Sequence, residues 1–139
     1  MPEKKTLEKA RAAKRAGKSP TTQAGEFVHE EIEHVREGKH GARSAKQAIA
    51  IGLAKARRAG IKLPPPPRSA KASTKRSAKA ASRAGRRRTR PSAKRARAAM
   101  RALKREPKRT VSRKALSRQA KSAARRRSGT RRRRSTTTA

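Results

Sequence analysis

The 139-residue chain carries 44 Lys and Arg against 8 Glu, with no Asp and no Cys, and its formal net charge is +36 at pH 7. A chain of this length supports one domain at most, and the absence of Cys excludes disulfides, Cys-based zinc fingers and thiol catalysis. No signal-peptide h-region is present in residues 1–25, and no segment approaches the roughly 18 apolar residues of a membrane helix, so we expect neither secretion by that route nor a membrane span.

The positive charge is concentrated in residues 68–139, which we call the basic tail. It holds 29 Lys and Arg against the single acid Glu106, whereas residues 1–67 hold 15 bases and 7 acids. The tail contains only four large apolar side chains, and burying them cannot offset the conformational entropy lost when its 72 residues become ordered. The sequence therefore predicts a mostly α protein, in which a small two- to three-helix front module (residues 1–63) precedes a long, intrinsically disordered tail. The four apolar residues of the tail are Met100, Leu103, Val111 and Leu116.

The front module is predicted to contain helices at about residues 3–16, 20–37 and 45–59. Ser19-Pro20 has the residue types of an N-cap and first turn, and an apolar stripe at helical spacing follows it, with Phe27 beside the stripe. Phe27 is therefore expected in the core.

The third helix carries the clearest signals. Ser44 and Gln47 form a capping-box pattern, and Gly60 is placed to end the helix in a Schellman motif with Ile61. Gly52 inside the helix costs about 1 kcal/mol relative to Ala. We expect close approach of the second helix there, under Phe27, to compensate.

Residues 64–67 are four consecutive prolines, predicted to form a stiff spacer. Behind it, residues 92–105 and 111–126 are rich in Ala and Arg and are expected to become helical once a polyanion neutralises their charge.

The composition of the tail points to nucleic acid. Arg outnumbers Lys 21 to 8, and the guanidinium group donates paired hydrogen bonds to phosphate. Because Phe27 is the only aromatic residue, base stacking is not expected, which favours duplex DNA bound through its backbone. The candidate contacts are Arg86, Arg87, Arg88, Arg90, Lys94, Arg95, Arg97, Arg101, Arg125, Arg126, Arg127, Arg131, Arg132, Arg133 and Arg134, with a secondary basic surface of Lys39, Arg43, Lys46, Lys55, Arg57 and Arg58.

The second helix concentrates five acids in twelve residues. His29 and His34 are five residues apart and diverge on a helix, unlike the pair of a zinc-protease motif. Another combination, such as Glu30, His34 and Glu37, could hold a metal, but we expect no metal site. The acidic face is expected to pair with nearby bases, and a regulatory version, in which it competes with DNA for the tail, is also open. Its members are Glu26, Glu30, Glu31, Glu33 and Glu37.

No catalytic constellation or phosphate-binding loop is present, so we expect no enzyme activity, no cofactor and no small-molecule substrate. The interpretation is a sequence-nonspecific protein that condenses duplex DNA by phosphate neutralisation. A homodimer through residues 20–60 would let it bridge duplexes.

The first alternative is an RNA- or ribosome-associated protein, since basic tails poor in aromatic residues also bind folded RNA. A membrane-active cation ranks low, because the tail has no broad apolar helix face. A third alternative is a protein partner that docks on the acidic second helix.

Residues 22–63 resemble a family of short, basic bacterial proteins of unknown function. The resemblance is carried by TQAGEFV at 22–28 and by REGKHGARSAKQAIAIGLAKARRAG at 36–60. It implies a bacterial origin and a short helical fold, and it transfers no site residues. The tail is similar in composition to histone H1-like bacterial tails. Together the two resemblances imply a histone-like protein associated with the bacterial nucleoid in the cytoplasm.

Overall fold

The computed structural model describes residues 2–87 and 92–136, and every regular element within them is a helix. The predicted disorder of the tail is wrong, because three of the six helices lie in it. The helices are α1 (Lys4–Arg15), α2 (Pro20–Arg36), α3 (Ala45–Arg58), α4 (Ala72–Arg87), α5 (Ala93–Arg105) and α6 (Arg113–Thr136).

The helix starts of the front module follow the capping signals. Ser19 Oγ accepts a hydrogen bond from the Thr22 N–H, and Ser44 Oγ accepts one from the Gln47 N–H at 3.2 Å. In a capping box the Gln47 side chain would accept a hydrogen bond from the N–H of Ser44. In the structure it accepts from the N–H of Arg43, one residue earlier. Both predicted N-caps are thus confirmed.

The end of α3 is the predicted Schellman motif. The Ile61 N–H donates to the Ala56 carbonyl and the Gly60 N–H donates to the Arg57 carbonyl, both at 3.1 Å. Gly60 has φ +97°, a left-handed conformation that glycine adopts without steric cost. The same pair of bonds closes α1 and α2 at their own glycines.

Two small clusters of buried residues form the core. Phe27, which is 1% exposed, packs with small side chains of all three front helices and is the core residue that the sequence predicts. The second cluster joins Val35 of α2 to Ala42, Ala48 and Val111. Val111 belongs to the tail, so the core extends beyond the front module.

Helices α2 and α3 approach closely at Gly52. A Cβ atom at this position would lie 2.6 Å from the Val28 Cα, which leaves room for a hydrogen only. The predicted close approach is confirmed, but the residue that meets the glycine is Val28 rather than Phe27.

Helix α4, which the sequence did not predict, packs on α3 through residues without large side chains. Ala78, Ala81 and Gly85 are buried, and a Cβ on Gly85 would lie 2.1 Å from the Arg57 carbonyl oxygen. The prediction of disorder counted only large apolar side chains. Small residues let two backbones approach closely, so this interface forms without large apolar side chains.

The segment between α5 and α6 is bound to the α2–α3 loop through the backbone. The Gly41 N–H donates to the Leu103 carbonyl at 2.8 Å, and the Ala42 N–H donates to the Pro107 carbonyl at 2.9 Å. These bonds hold Val111 against the second core cluster. Residues 103–111 are therefore part of the packed fold.

Helices α5 and α6 depend least on burial. No residue of α5 is buried, and α6 continues ten residues beyond the predicted end at residue 126. Ala, Arg and Lys are strong helix formers, and a like-charge pair costs only about 0.2–0.5 kcal/mol. Both segments are helical in the structure, so the expectation that they are disordered until a polyanion binds is wrong.

Candidate nucleic-acid interface

The three helices of the tail carry many cations and no acidic residues. Together α4, α5 and α6 contain 23 Lys and Arg and no Glu. All of these cationic side chains that the structure describes are exposed. Glu106, between α5 and α6, is half-buried and lies 3.7 Å from the Arg43 guanidinium.

The predicted contact residues fall on all three tail helices. Arg86 and Arg87 end α4, while Lys94, Arg97 and Arg101 share one face of α5 at helical spacing. Arg95 lies on the same helix, and α6 carries Arg125–Arg127 and Arg131–Arg134. Arg88 and Arg90 lie outside the described residues, and only the backbone is described at Arg133 and Arg134.

Helix α4 separates its two roles by face. Lys75, Lys79, Arg83 and Arg86 recur at helical spacing on the exposed side, whereas the small residues that meet α3 lie on the other side. Docking on α3 therefore leaves this row of cations exposed, along the side of α4 that borders Arg57 and the proline spacer.

A shallow groove beside this row brings the front module and the tail together. Arg57 lines it together with Lys75, Lys79 and Arg86, next to the proline spacer. The Arg57 guanidinium donates to the Pro64 carbonyl at 2.9 Å, and partial burial lowers its pKa, although an arginine stays charged at neutral pH. Arg57 and Arg86, predicted on separate surfaces, thus share one.

A second groove lies between the start of α3 and α6. Arg43, Lys46 and Arg118 line it, with the hydroxyls of Ser44 and Thr110 beside them. The N-terminal end of a helix carries partial positive charge, so the start of α3 adds to the positive potential of this groove.

Of the remaining cations predicted on the secondary basic surface, one is exposed and forms no ion pair within the described residues, and two contact carboxylates. Arg58 is exposed, whereas Lys55 is mostly buried with its ammonium group on the Glu31 carboxylate. Lys39 contacts Glu37 at 3.3 Å and Glu3 at 3.4 Å, and its hydrogen bonds to these carboxylates raise its pKa, that to Glu37 most. Lys55 is therefore poorly placed to contact phosphate.

The half-exposed acids of α2 and the exposed Glu37 that follows the helix pair within the front module. Glu26 lies 3.9 Å from Lys9, and Glu33 lies 3.8 Å from His29 one turn earlier on the same helix. Glu37 pairs with Lys39 as described above. These contacts agree with local pairing of the acidic face and give no support to the regulatory version.

The other two acids of α2 belong to a buried polar cluster. Glu31 is fully buried. Its Oε1 contacts the Lys55 ammonium and lies 3.8 Å from His34 Nδ1, and its Oε2 lies 3.1 Å from His40 Nε2. Glu30 is 6% exposed and accepts the Glu3 N–H at 2.8 Å. A hydrogen bond from His34, with a smaller contribution from Lys39, lowers the pKa of Glu3.

This cluster differs from the combinations considered from the sequence, His29 with His34 and Glu30 with His34 and Glu37. His34 and Glu31 are three residues apart and share a helix face, a signal that was readable. His40 joins them only because the chain reverses at Gly38, which has φ +76°. The presence of His40 in the cluster therefore depends on tertiary structure.

Among residues 2–87 and 92–136, no helix combines the length and apolar character needed to cross a bilayer. Residues 11–67 match the model of a family of unknown function, DUF6496, and the match covers α2, α3 and the end of α1. No curated protein and no solved structure matches the chain.

Proposed function

We propose that this protein binds nucleic acid without sequence specificity and condenses duplex DNA by neutralising its phosphates with α4, α5 and α6. The observation that carries the proposal is that these three helices contain 23 cations and no acid, and that every one of these cationic side chains that the structure describes is exposed. Such a surface attracts polyanions, and nucleic acids are the abundant polyanions of a cell. A place in the bacterial nucleoid is part of the same proposal.

The dimensions of α6 suit contact with a phosphate backbone. Its 24 residues extend about 36 Å at 1.5 Å per residue, and eleven of them are Lys or Arg. A duplex presents about one negative charge per 1.7 Å of axis, so the helix can meet a dense row of phosphates. Arginine, which predominates, can donate two parallel hydrogen bonds to each phosphate.

The two grooves extend this surface onto the front module. One adds Arg57 to the cationic row of α4, and the other adds Arg43 and Lys46 to the side of α6. A duplex held by the tail would therefore also meet cations of α3.

Readout of base identity by stacking has no residue to perform it. Phe27 is the only aromatic side chain and is 1% exposed, in the core. Binding through phosphates alone fixes position but carries no sequence information. The proposal is accordingly nonspecific, and bridging through a homodimer at residues 20–60 would be an extension of it.

The test compares two triple variants that remove the same charge. Arg95, Arg97 and Arg101 become Gln in one, on a helix without buried residues; in the other, Lys4, Lys5 and Lys14, which are exposed on α1, become Gln. Affinity for a labelled duplex is measured by fluorescence anisotropy between low and near-physiological salt. Circular dichroism checks helicity in both.

The α5 variant is expected to bind more weakly and to lower the slope of log K against log salt by about 0.9 for each lost phosphate contact. The α1 variant should keep nearly the full slope. Equal losses in both variants would contradict the assignment to the tail helices. A structured RNA competitor that displaces the duplex at substoichiometric amounts would favour the RNA alternative.

A further inference from the structure

Three potential metal-binding side chains converge in the buried polar cluster of the front module. One ligand atom from each of Glu31, His34 and His40 lies within 4.8 Å of the other two. Glu31 and His34 lie on α2, and His40 lies in the loop that follows it. Zinc bonds of about 2.0 Å in a tetrahedron place ligand atoms roughly 3.3 Å apart. The Glu31 carboxylate lies at comparable distances from both rings, with Oε2 3.1 Å from His40 Nε2 and Oε1 3.8 Å from His34 Nδ1.

Both imidazoles donate their N–H groups elsewhere. His40 Nδ1 lies 2.9 Å from the Gly41 carbonyl oxygen, which can only accept, so Nδ1 carries the hydrogen. His34 Nε2 lies 3.2 Å from a Glu3 carboxylate oxygen and likewise donates. In the neutral rings the remaining nitrogens, His40 Nε2 and His34 Nδ1, are therefore bare lone pairs on the side of Glu31.

The carboxylate between them has an unsatisfied oxygen. Glu31 is 0% exposed, and its Oε2 atom has no hydrogen-bond partner, although His40 Nε2 is only 3.1 Å away. The contact lacks hydrogen-bond geometry, so the two atoms do not point at each other. Two ligands of one ion behave in this way, because each points at the ion and not at its neighbour.

We propose that Glu31, His34 and His40 form a binding site for a divalent transition metal, for which Zn²⁺ is the best match. Two imidazoles and one carboxylate are a ligand set that zinc accepts, with a fourth position left to water. An ion there would satisfy the orphaned oxygen and both lone pairs together. The sequence predicted no metal, so this site is a departure from that expectation.

The surroundings supply the second layer of contacts that such a site needs. Glu3 accepts from the far nitrogen of His34, and Glu30 lies 3.7 Å from the same atom. Carboxylates in this position fix the tautomer and orientation of a metal-bound histidine. The Lys55 ammonium contacts only the other oxygen of Glu31 and balances part of the negative charge.

The site would stabilise the junction between front module and tail. His40 is adjacent to Gly41, whose N–H bonds to the chain at the end of α5. A metal that joins His40 to α2 would hold this loop in the position that the tail segment requires. The role is structural and does not depend on nucleic-acid binding.

The experiment uses the full chain, freed of nucleic acid and metal, and Zn²⁺ alone as the probe in competition with a chromogenic chelator. We expect one equivalent to bind and the thermal midpoint to rise. His40→Gln and Glu31→Gln should each weaken binding more than about tenfold. His29→Gln is the matched control, since this histidine is exposed on the same helix and should leave affinity unchanged.

Circular dichroism establishes that each variant is folded. If a cluster variant unfolds, the ligands are instead identified by zinc X-ray absorption spectroscopy of the unmodified chain, which should show two imidazole ligands. The proposal is overturned by absence of one-to-one binding, by an absorption spectrum without histidine ligands, or by a His29→Gln loss equal to that of His40→Gln.

Discussion

The front module and the basic tail are both helical, but different forces hold them. The front module buries Phe27 and Val35 in small clusters and closes its three helices with glycine motifs. The tail buries almost no large side chain and depends on helix propensity and on close backbone contacts at Gly41 and Gly85. The comparison teaches that a scarcity of large apolar residues does not by itself predict disorder.

The largest expected effect is at Gly41, where the tail segment meets the front module. A Cβ there would lie 1.8 Å from the Glu106 carbonyl oxygen, so Gly41→Ala must push residues 103–107 away and break two backbone hydrogen bonds. We expect a loss of about 3–4 kcal/mol in the free energy of unfolding, from steric strain and lost hydrogen bonds together. Urea denaturation followed by circular dichroism measures it, and a loss below about 1 kcal/mol would mean that the tail segment is not docked.

The next prediction compares two Gly→Ala substitutions in the front module, one at a packed position and one at an open position, where only helix propensity changes. Gly52→Ala gains helix propensity but places a Cβ 2.6 Å from the Val28 Cα, and we expect a net loss of about 1–2 kcal/mol. Gly25→Ala on α2 is the control, because open space surrounds that position, and it should gain about 0.5–1 kcal/mol. Stabilisation by both changes would show that α2 and α3 do not cross at Gly52.

A smaller, local effect is expected on α4. The Cβ of Gly85→Ala would lie 2.1 Å from the Arg57 carbonyl, so α4 should separate from α3 while the front module stays folded. Amide hydrogen exchange should speed up by about tenfold or more in α4 and change little in α2. Gly129→Ala on α6, where nothing lies near, is the control and should leave exchange in α4 unchanged. Equal acceleration in α2 and α4 would mean that the tail does not open separately.

The sequence predicted most of the local structure of the front module. Ser19, Ser44 and Gly60 act through neighbours within a few residues, so their caps can be read directly. The position of Phe27 in the core follows from helical periodicity in the same way.

Tertiary contacts account for what the sequence did not reveal. The docking of α4 depends on the contact between Gly85 and the carbonyl of Arg57, 28 residues earlier. Val111 completes a core cluster whose other buried members lie much earlier in the chain, at positions 35, 42 and 48. The polar cluster likewise needs His40 to turn back onto Glu31. None of these contacts has a local signature, so composition suggested disorder and no buried site.

The most direct test of the central claim is the salt dependence of duplex DNA binding by the unmodified chain. If α4, α5 and α6 meet phosphates, log K should fall linearly with log salt, with a slope of about −0.9 for each phosphate neutralised and with little difference between duplex sequences. Absence of binding to duplex DNA near physiological salt, or an affinity that does not change with salt, would contradict the account.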